Sequence, residues 1–367
     1  MRTMLIASML SALVGGAIVR AAEASHAVIF IIDGLSYRAP ERLAMKNLQA
    51  LAKAGASCDR SYNIVPAHPR SGEWAKYHTS SIPNPVILAG TVLLRPDQRW
   101  VQQSFHPARV TAHSANDTDY TRLNVGFHLS FLRGSDNAQV RDSETMMWAL
   151  EFLRRARPAF MKVHLQDLGS AGSESYQSKD ASVPWHRNIW AEGSPYRAAA
   201  ARADEYLGQF LHELDVLGLR DKTALFVTSD HGQSDHGWHP FDDEDSWSMP
   251  LIVAGPGVRA GARIEYAEQI DIVPTLCYLA GAAPPPNADG RILAEALVNP
   301  PAKVPPRRRD LPELNRVLLR GEALLQKRGA QAMPDYYGLE RILEWHRFGT
   351  VEKLIEHDRR VLDALKP

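Results

Sequence analysis

The chain has 367 residues, of which 45% are hydrophobic, and its 42 basic residues balance its 42 acidic ones. A formal net charge of zero gives no support to nucleic-acid binding or to a polybasic membrane-binding surface. The length and composition fit a globular protein with one large α/β domain or two modest domains.

The first 24 residues have the pattern of a secretory signal peptide. Arg2 precedes an apolar run over 5–19, and an alanine-rich segment over 21–24 offers cleavage sites. About fifteen apolar residues are fewer than the roughly 20 that a membrane span needs. We therefore expect residues 1–24 to be removed and the protein to be exported, to a periplasm or to the outside. The alternative is an uncleaved membrane anchor.

Apolar strand-like runs then alternate with helical patterns along the chain. The predicted strands cover 26–32, 159–165, 223–228 and 248–254, and the predicted helices cover 39–54, 142–156 and 195–219. The last helix begins with Ser194 and Pro195, a typical N-cap and first-turn pair. This alternation predicts an α/β fold with a mainly parallel central sheet and helices on both faces.

The C-terminal part has a different composition. Residues 300–367 begin with a proline-rich stretch and continue with charged helical patterns, so we expect a linker and a helical extension beyond a main domain over 25–299. These helices could pack on the main domain or on a partner.

Three of the predicted strands end in residues that can bind a metal ion. Asp33, Asp167 and the pair Asp230 and His231 each follow an apolar run. Because the carboxyl ends of parallel strands meet at one edge of a sheet, these side chains could share a single pocket.

The combination of an early strand ending in Asp-Gly and a late strand ending in Ser-Asp-His-Gly resembles the alkaline phosphatase superfamily, closest to its sulfatase and phosphodiesterase branches. A later segment, "DIVPTLCYLAGAAPPPNADGRIL", matches a further signature of that family. The resemblance covers about residues 26–297 and implies a metal-dependent ester hydrolase.

Carried over to this chain, the resemblance implies that Asp33, Asp230 and His231 bind a divalent metal. Two carboxylates and an imidazole suit Zn²⁺ or Mn²⁺ better than Ca²⁺ or Mg²⁺. A second ion would involve Asp167 and either His236 or His239. The family's Asp-x-x-Gly-His segment, however, aligns here with Gly169 and Ser173, so one ion or two remain open.

The family's nucleophile lies after the first strand and helix, which points to the hydroxyls in "HTSSIPNP". We expect Ser81 to be the nucleophile, followed in preference by Ser80 and Thr79. Asn84 matches a phosphodiesterase-type donor to a phosphoryl oxygen, although it could equally begin a turn.

The segment departs from the sulfatase pattern at Pro85, where sulfatases that carry formylglycine have Arg. An unmodified serine favours phosphate mono- or diesters of small molecules, glycans or lipids. The alternatives are a sulfatase or phosphonate-ester hydrolase, a phosphoryl transferase acting on envelope glycans or lipids, and a non-catalytic binding protein of the same fold.

The two cysteines, Cys58 and Cys277, lie far apart in the sequence. They could form one disulfide, but we expect buried free thiols.

Overall fold

The structure is a computed structural model that describes residues 24–63, 75–80, 99–105, 109–115, 126–132, 141–240, 243–286, 288–304, 311–313 and 315–316. Ala24 already belongs to the folded domain, because it is buried and its N–H donates to the carbonyl of Leu279. The predicted signal segment before it lies outside the described residues, as does most of the predicted C-terminal extension. None of the helices in the described ranges combines the length and apolarity that crossing a bilayer requires.

Within the described part of the chain, eight strands form one sheet in the order β4-β3-β5-β1-β6-β7-β2-β8. The strands are β1 His26–Ile32, β2 Ala56–Tyr62, β3 Thr111–Ala115, β4 Leu129–Leu132, β5 Phe160–Leu165, β6 Thr223–Thr228, β7 Ser248–Ala254 and β8 Ala262–Arg263. Every pairing is parallel except those of β7, which runs antiparallel to both β6 and β2. The predicted α/β fold with a mainly parallel sheet is confirmed.

The α-helices whose bounds lie within the described residues are α1 Ala39–Arg42, α2 Lys46–Ala54, α3 Asp142–Ala156, α4 Asp167–Gln177, α5 Pro195–Val216 and α6 Ile272–Ala280. Helix α5 begins as predicted, with the Ser194 side chain accepting a hydrogen bond from the N–H of Tyr196. The helix predicted over 39–54 is divided in two, because Ala44 adopts a left-handed conformation with φ of 50°.

The helices cover both faces of the sheet. Helices α2 to α5 pack on one face and form a core with Val28, Phe30 and Ile32 of β1. Helix α6 packs on the other face, against Ile29 and Ile31 of the same strand. The alternate residues of β1 therefore enter different cores, which is why the strand is apolar throughout.

Candidate metal and catalytic site

The central strands bring the predicted ligands together at one edge of the sheet. Strands β1 and β6 pair in parallel with Ile31 opposite Thr228, so that Asp33 and Asp230 both emerge where the two strands end. Together with His231 they form a buried group whose ligand atoms all lie within 4.8 Å of one another.

The spacing within this group fits a metal ion. His231 Nε2 lies 3.5 Å from Asp33 Oδ1 and 3.5 Å from Asp230 Oδ2. Ligands about 2.0–2.1 Å from a tetrahedral zinc ion are separated by about 3.3 Å, close to these distances. The donor set of two carboxylates and an imidazole suits Zn²⁺ or Mn²⁺.

The tautomer of His231 also fits a metal ligand. Its Nδ1 lies 2.7 Å from the carbonyl oxygen of Gly232. Because a carbonyl can only accept, Nδ1 carries the proton and the lone pair of the neutral ring is on Nε2. That lone pair is on the atom that faces both carboxylates, an arrangement typical of metal-binding histidines.

The electrostatics of the group favour a cation. Burial raises the pKa of Asp33, and the neighbouring carboxylate of Asp230 raises it further. Two buried carboxylates with oxygens within 4.8 Å of each other repel. A divalent cation between them would remove that repulsion.

Backbone and amide donors fix Asp230 from two sides. The N–H of Gly34 lies 3.2 Å from Asp230 Oδ1, and Asn63 Nδ2 donates to the Asp230 carbonyl at 2.6 Å. Asn63 is in turn held by Asn315, whose Nδ2 donates to the Asn63 carbonyl at 2.8 Å. Arg316 follows and forms an ion pair with Glu244. The described end of the C-terminal region thus packs on the main domain, beside the site.

Two glycines allow the chain to approach Asp33 closely. Gly34 turns the chain after β1 with φ of 64°. A Cβ built on Gly169 of α4 would lie only 1.8 Å from Asp33 Oδ1. The position where the family's second-site Asp was expected is therefore filled by backbone that packs directly on the first carboxylate.

The other predicted metal ligands are not among the three residues whose ligand atoms converge. The backbone N–H of Asp167 donates to Asp142 Oδ2 at 3.1 Å. His236 is exposed, with Nδ1 3.0 Å from the carbonyl of Arg187. His239 comes nearest, since its ring packs on that of His231 with centroids 3.9 Å apart.

The side chain of Asp167 also affects the ionisation of Asp142. Burial, and then the charge of Asp167, raise the pKa of Asp142 to about 7. Asp142 also accepts the N–H of Gln166 at 2.7 Å, so its carboxyl group binds the start of α4.

The segment with the predicted nucleophile lies beside the metal group. A π-helical turn, Ala75–Thr79, places the Tyr77 hydroxyl 2.6 Å from the Ser229 carbonyl. Thr79 and Ser80 are buried, and the Ser80 hydroxyl donates to the Ile270 carbonyl at 2.7 Å. Ser81 and Asn84 lie outside the described residues.

His78, the residue before Thr79, is held in a buried hydrogen-bonded chain. Its Nδ1 lies 3.1 Å from Gln102 Oε1, and Lys162 Nζ lies 3.2 Å from its Nε2. The amide oxygen can only accept, so Nδ1 carries the proton and Nε2 accepts from Lys162. Burial lowers the pKa of His78 to about 4, so that its ring is neutral near pH 7 and is not a proton donor to a leaving group.

Sequence reasoning did not assign a role to Lys162 or connect His164 with Asp33. The sequence "FMKVHL" contains a feature that could have revealed them: two polar residues, Lys162 and His164, alternate with apolar residues in a buried strand. That alternation places both side chains on one face of the sheet.

Comparison with known proteins agrees with this geometry. The family model described as "Sulfatase" matches residues 98–282, half of the chain. The chain belongs to the sulfatase family. Asp230 and His231 lie within the matched span, whereas Asp33 and the Thr79 segment precede it.

The curated relatives of this sulfatase-family chain match a limited part of it. Arylsulfatase K of Mus musculus is 36% identical over 109 residues, which are 28% of this chain and 20% of that protein. Choline-sulfatase of Rhizobium meliloti is 31% identical over 110 residues, 29% of this chain and 21% of that protein. The matched part spans about a fifth of the length of these relatives.

Solved structures share the fold over more of the chain. A 2-O GAG sulfatase superposes with a TM-score of 0.60 at 16% identity, covering 77% of this chain and 76% of that one. Phosphonate monoester hydrolase from Silicibacter pomeroyi superposes with a TM-score of 0.56 at 18% identity, covering 73% and 76%. At these identities the likeness concerns the fold, which is that of the alkaline phosphatase superfamily.

Proposed function

We propose that this sulfatase-family protein is an exported, metal-dependent hydrolase of phosphate mono- or diesters that uses a hydroxyl group of the segment 79–81 as its nucleophile. The observation that carries the proposal is the convergence of Asp33, Asp230 and His231 Nε2 at distances suited to one divalent ion. Its substrate would be an anionic ester on a small molecule, a glycan or a lipid.

A bound Zn²⁺ or Mn²⁺ would lower the pKa of the attacking hydroxyl and screen its charge from an anionic ester. Asp33, Asp230 and His231 would hold the ion. The residues around them keep this arrangement fixed, since Gly34 N–H and Asn63 both bind Asp230.

Ser81 is the preferred nucleophile within the segment. The Ser80 hydroxyl already donates to a backbone carbonyl, which leaves it less available for attack. In the proposed step the Ser81 oxygen bonds to phosphorus and the ester oxygen departs with a proton. Water then attacks phosphorus and breaks its bond to the serine oxygen, which takes a proton from the water; a monoester substrate yields phosphate and a diester yields a phosphate monoester. Asn84 would donate to a non-bridging oxygen.

Hydrolysis of sulfate esters is the second candidate, favoured by the sulfatase family match and by the identity with arylsulfatase K and choline-sulfatase. It would require oxidation of Ser81 or Ser80 to formylglycine. Pro85, in place of the usual Arg, argues against that modification. Peptide mass spectrometry separates the two candidates, because formylglycine has two hydrogens fewer than serine.

The test combines elemental analysis of the purified full chain with assays on 4-nitrophenyl phosphate, bis(4-nitrophenyl) phosphate and 4-nitrophenyl sulfate. Asp230→Ala should lose both the metal and hydrolysis, and Ser81→Ala should keep the metal and lose hydrolysis. Asp180→Ala, at an exposed aspartate, is the matched control and should change neither. A wild type that binds no metal and hydrolyses none of the esters after addition of zinc or manganese would refute the proposal.

A further inference from the structure

Strand β5 carries two fully buried polar side chains, Lys162 and His164, among apolar neighbours. They lie two residues apart and face the same side of the sheet, the side covered by α6. Burying an ionisable group costs free energy unless it has polar partners. Lys162 contacts His78, in the segment of the predicted nucleophile, and His164 contacts Asp33, in the metal group.

His164 reaches the first carboxylate of the metal group. Strands β1 and β5 pair in parallel with Ile31 opposite His164, so the His164 ring lies next to the point where β1 ends. His164 Nε2 lies 3.4 Å from Asp33 Oδ2. The other oxygen, Asp33 Oδ1, faces His231. The Asp33 carboxylate is therefore placed between two imidazoles, one on each oxygen.

We propose that His164 is a positioning residue of the metal site, whose Nε2–H donates to Asp33 Oδ2 and so directs Asp33 Oδ1 to the ion shared with Asp230 and His231. This inference rests on the proposed metal-dependent function. A carboxylate with one oxygen held by a donor presents the other as a single-oxygen ligand. Without that donor, the Asp33 side chain could rotate and present either oxygen.

The geometry places His164 beside a metal ligand, Asp33, and does not make it a ligand itself. Its Nε2 contacts the oxygen of Asp33 that faces away from His231. Among the described residues, the group whose ligand atoms converge within 4.8 Å consists of Asp33, Asp230 and His231. A fourth ligand would have to approach all three.

Packing alone would not require a histidine at this position. On the same face of the sheet, Phe160 of β5 and Ile31, which lies opposite His164 in β1, are apolar and equally buried, and this face would accept a leucine of similar size on sterics. What leucine cannot supply is an N–H directed at Asp33.

The test measures metal affinity by titration calorimetry on the full chain stripped of metal and titrated with Zn²⁺. His164→Leu removes the donor and should weaken binding by roughly 10–100-fold. His164→Gln keeps an N–H near the position of Nε2 and should bind more tightly than His164→Leu. His113→Leu is the matched control: His113 is equally buried, lies on the neighbouring strand β3, and its ring stacks on Phe127. It should bind zinc as the wild type does.

A second readout separates positioning from direct ligation. Co²⁺ in place of Zn²⁺ gives a visible absorption spectrum that depends on the ligand set. Saturated His164→Leu should keep the wild-type band positions, because its ligands are unchanged. If His164→Leu does not fold, His164→Gln is compared with His164→Asn, whose amide reaches only the position of Nδ1 and should bind more weakly than Gln.

The outcomes distinguish this inference from the function on which it rests. A wild type that binds neither Zn²⁺ nor Co²⁺ overturns both. A wild type that binds metal, with His164→Leu equal to it in affinity, overturns the role of His164 and leaves the metal site intact. A Co²⁺ spectrum in His164→Leu that has lost a nitrogen ligand also overturns positioning, because His164 would then be a ligand.

Discussion

Replacing Gly169 with alanine tests the close approach of α4 to the metal group. The added Cβ would fall 1.8 Å from Asp33 Oδ1, whereas Cβ contacts under 3.0 Å essentially never occur. Either the carboxylate or the helix must therefore move by about 1.2 Å, because the interior is close-packed. Metal–ligand distances tolerate deviations of only about 0.2 Å. Because the carboxylate is the end of a side chain and moves more easily than the helix backbone, Asp33 should cease to bind the proposed ion.

Loss of one of three protein ligands should weaken metal binding by more than about 100-fold, or about 2.7 kcal/mol. Alanine is favoured over glycine within a helix by about 0.8–1.0 kcal/mol, which partly offsets the cost of the displacement in the metal-free protein. The loss of metal affinity should therefore exceed the loss of metal-free stability.

Titration calorimetry with Zn²⁺ and thermal melts with and without metal measure both quantities. Ser170→Ala, at an exposed neighbour on the same helix, is the control and should keep wild-type affinity. Wild-type affinity in Gly169→Ala would refute the argument, because the carboxylate would then tolerate a methyl group in the space it occupies.

Three further predictions follow from buried polar groups and thiols. Because burial raises the pKa of Asp142 to about 7, the unfolded carboxyl group releases its proton at a lower pH than the folded one. The unfolding free energy of metal-free protein should then fall as pH rises from about 4 to about 7, and urea unfolding of Asp142→Asn should show a shallower slope, because the raised pKa of Asp33 still contributes in that variant. Cys58 and Cys277 are free and buried, and burial raises the pKa of each thiol to about 12. A thiol reagent should therefore label both in urea and neither in the native state. Asn315→Ala removes a buried hydrogen bond to Asn63 and should lower the unfolding free energy by about 1–3 kcal/mol, with weaker zinc binding, measured by urea unfolding and calorimetry.

The sequence was sufficient for features that depend on neighbouring residues. Apolar runs located β1 and β6, and the Ser194 cap located the start of α5. Asp33 and Asp230 follow the carboxyl ends of β1 and β6. Because these ends lie at the same edge of a parallel sheet, the two residues were predicted to meet there.

Features that depend on strand order could not be predicted. The reversed direction of β7 leaves no mark in its composition, since it is as buried as the parallel strands. His164 meets Asp33 only because β5 lies directly beside β1. Asn63 and Asn315, separated by 252 positions, meet Asp230 through contacts that no local pattern encodes.

The hydrogen bonds from Asn315 to Asn63 and from Asn63 to Asp230 have a consequence for the order of events during synthesis. A growing chain already contains Asp33, Asp230 and His231 long before the ribosome reaches residue 315. The support behind Asp230 is nevertheless complete only when that residue has emerged. If the proposed ion is bound, a chain that ends at residue 304 and already contains all eight strands should hold zinc more weakly than the full chain, so that tight metal capture would be a late step.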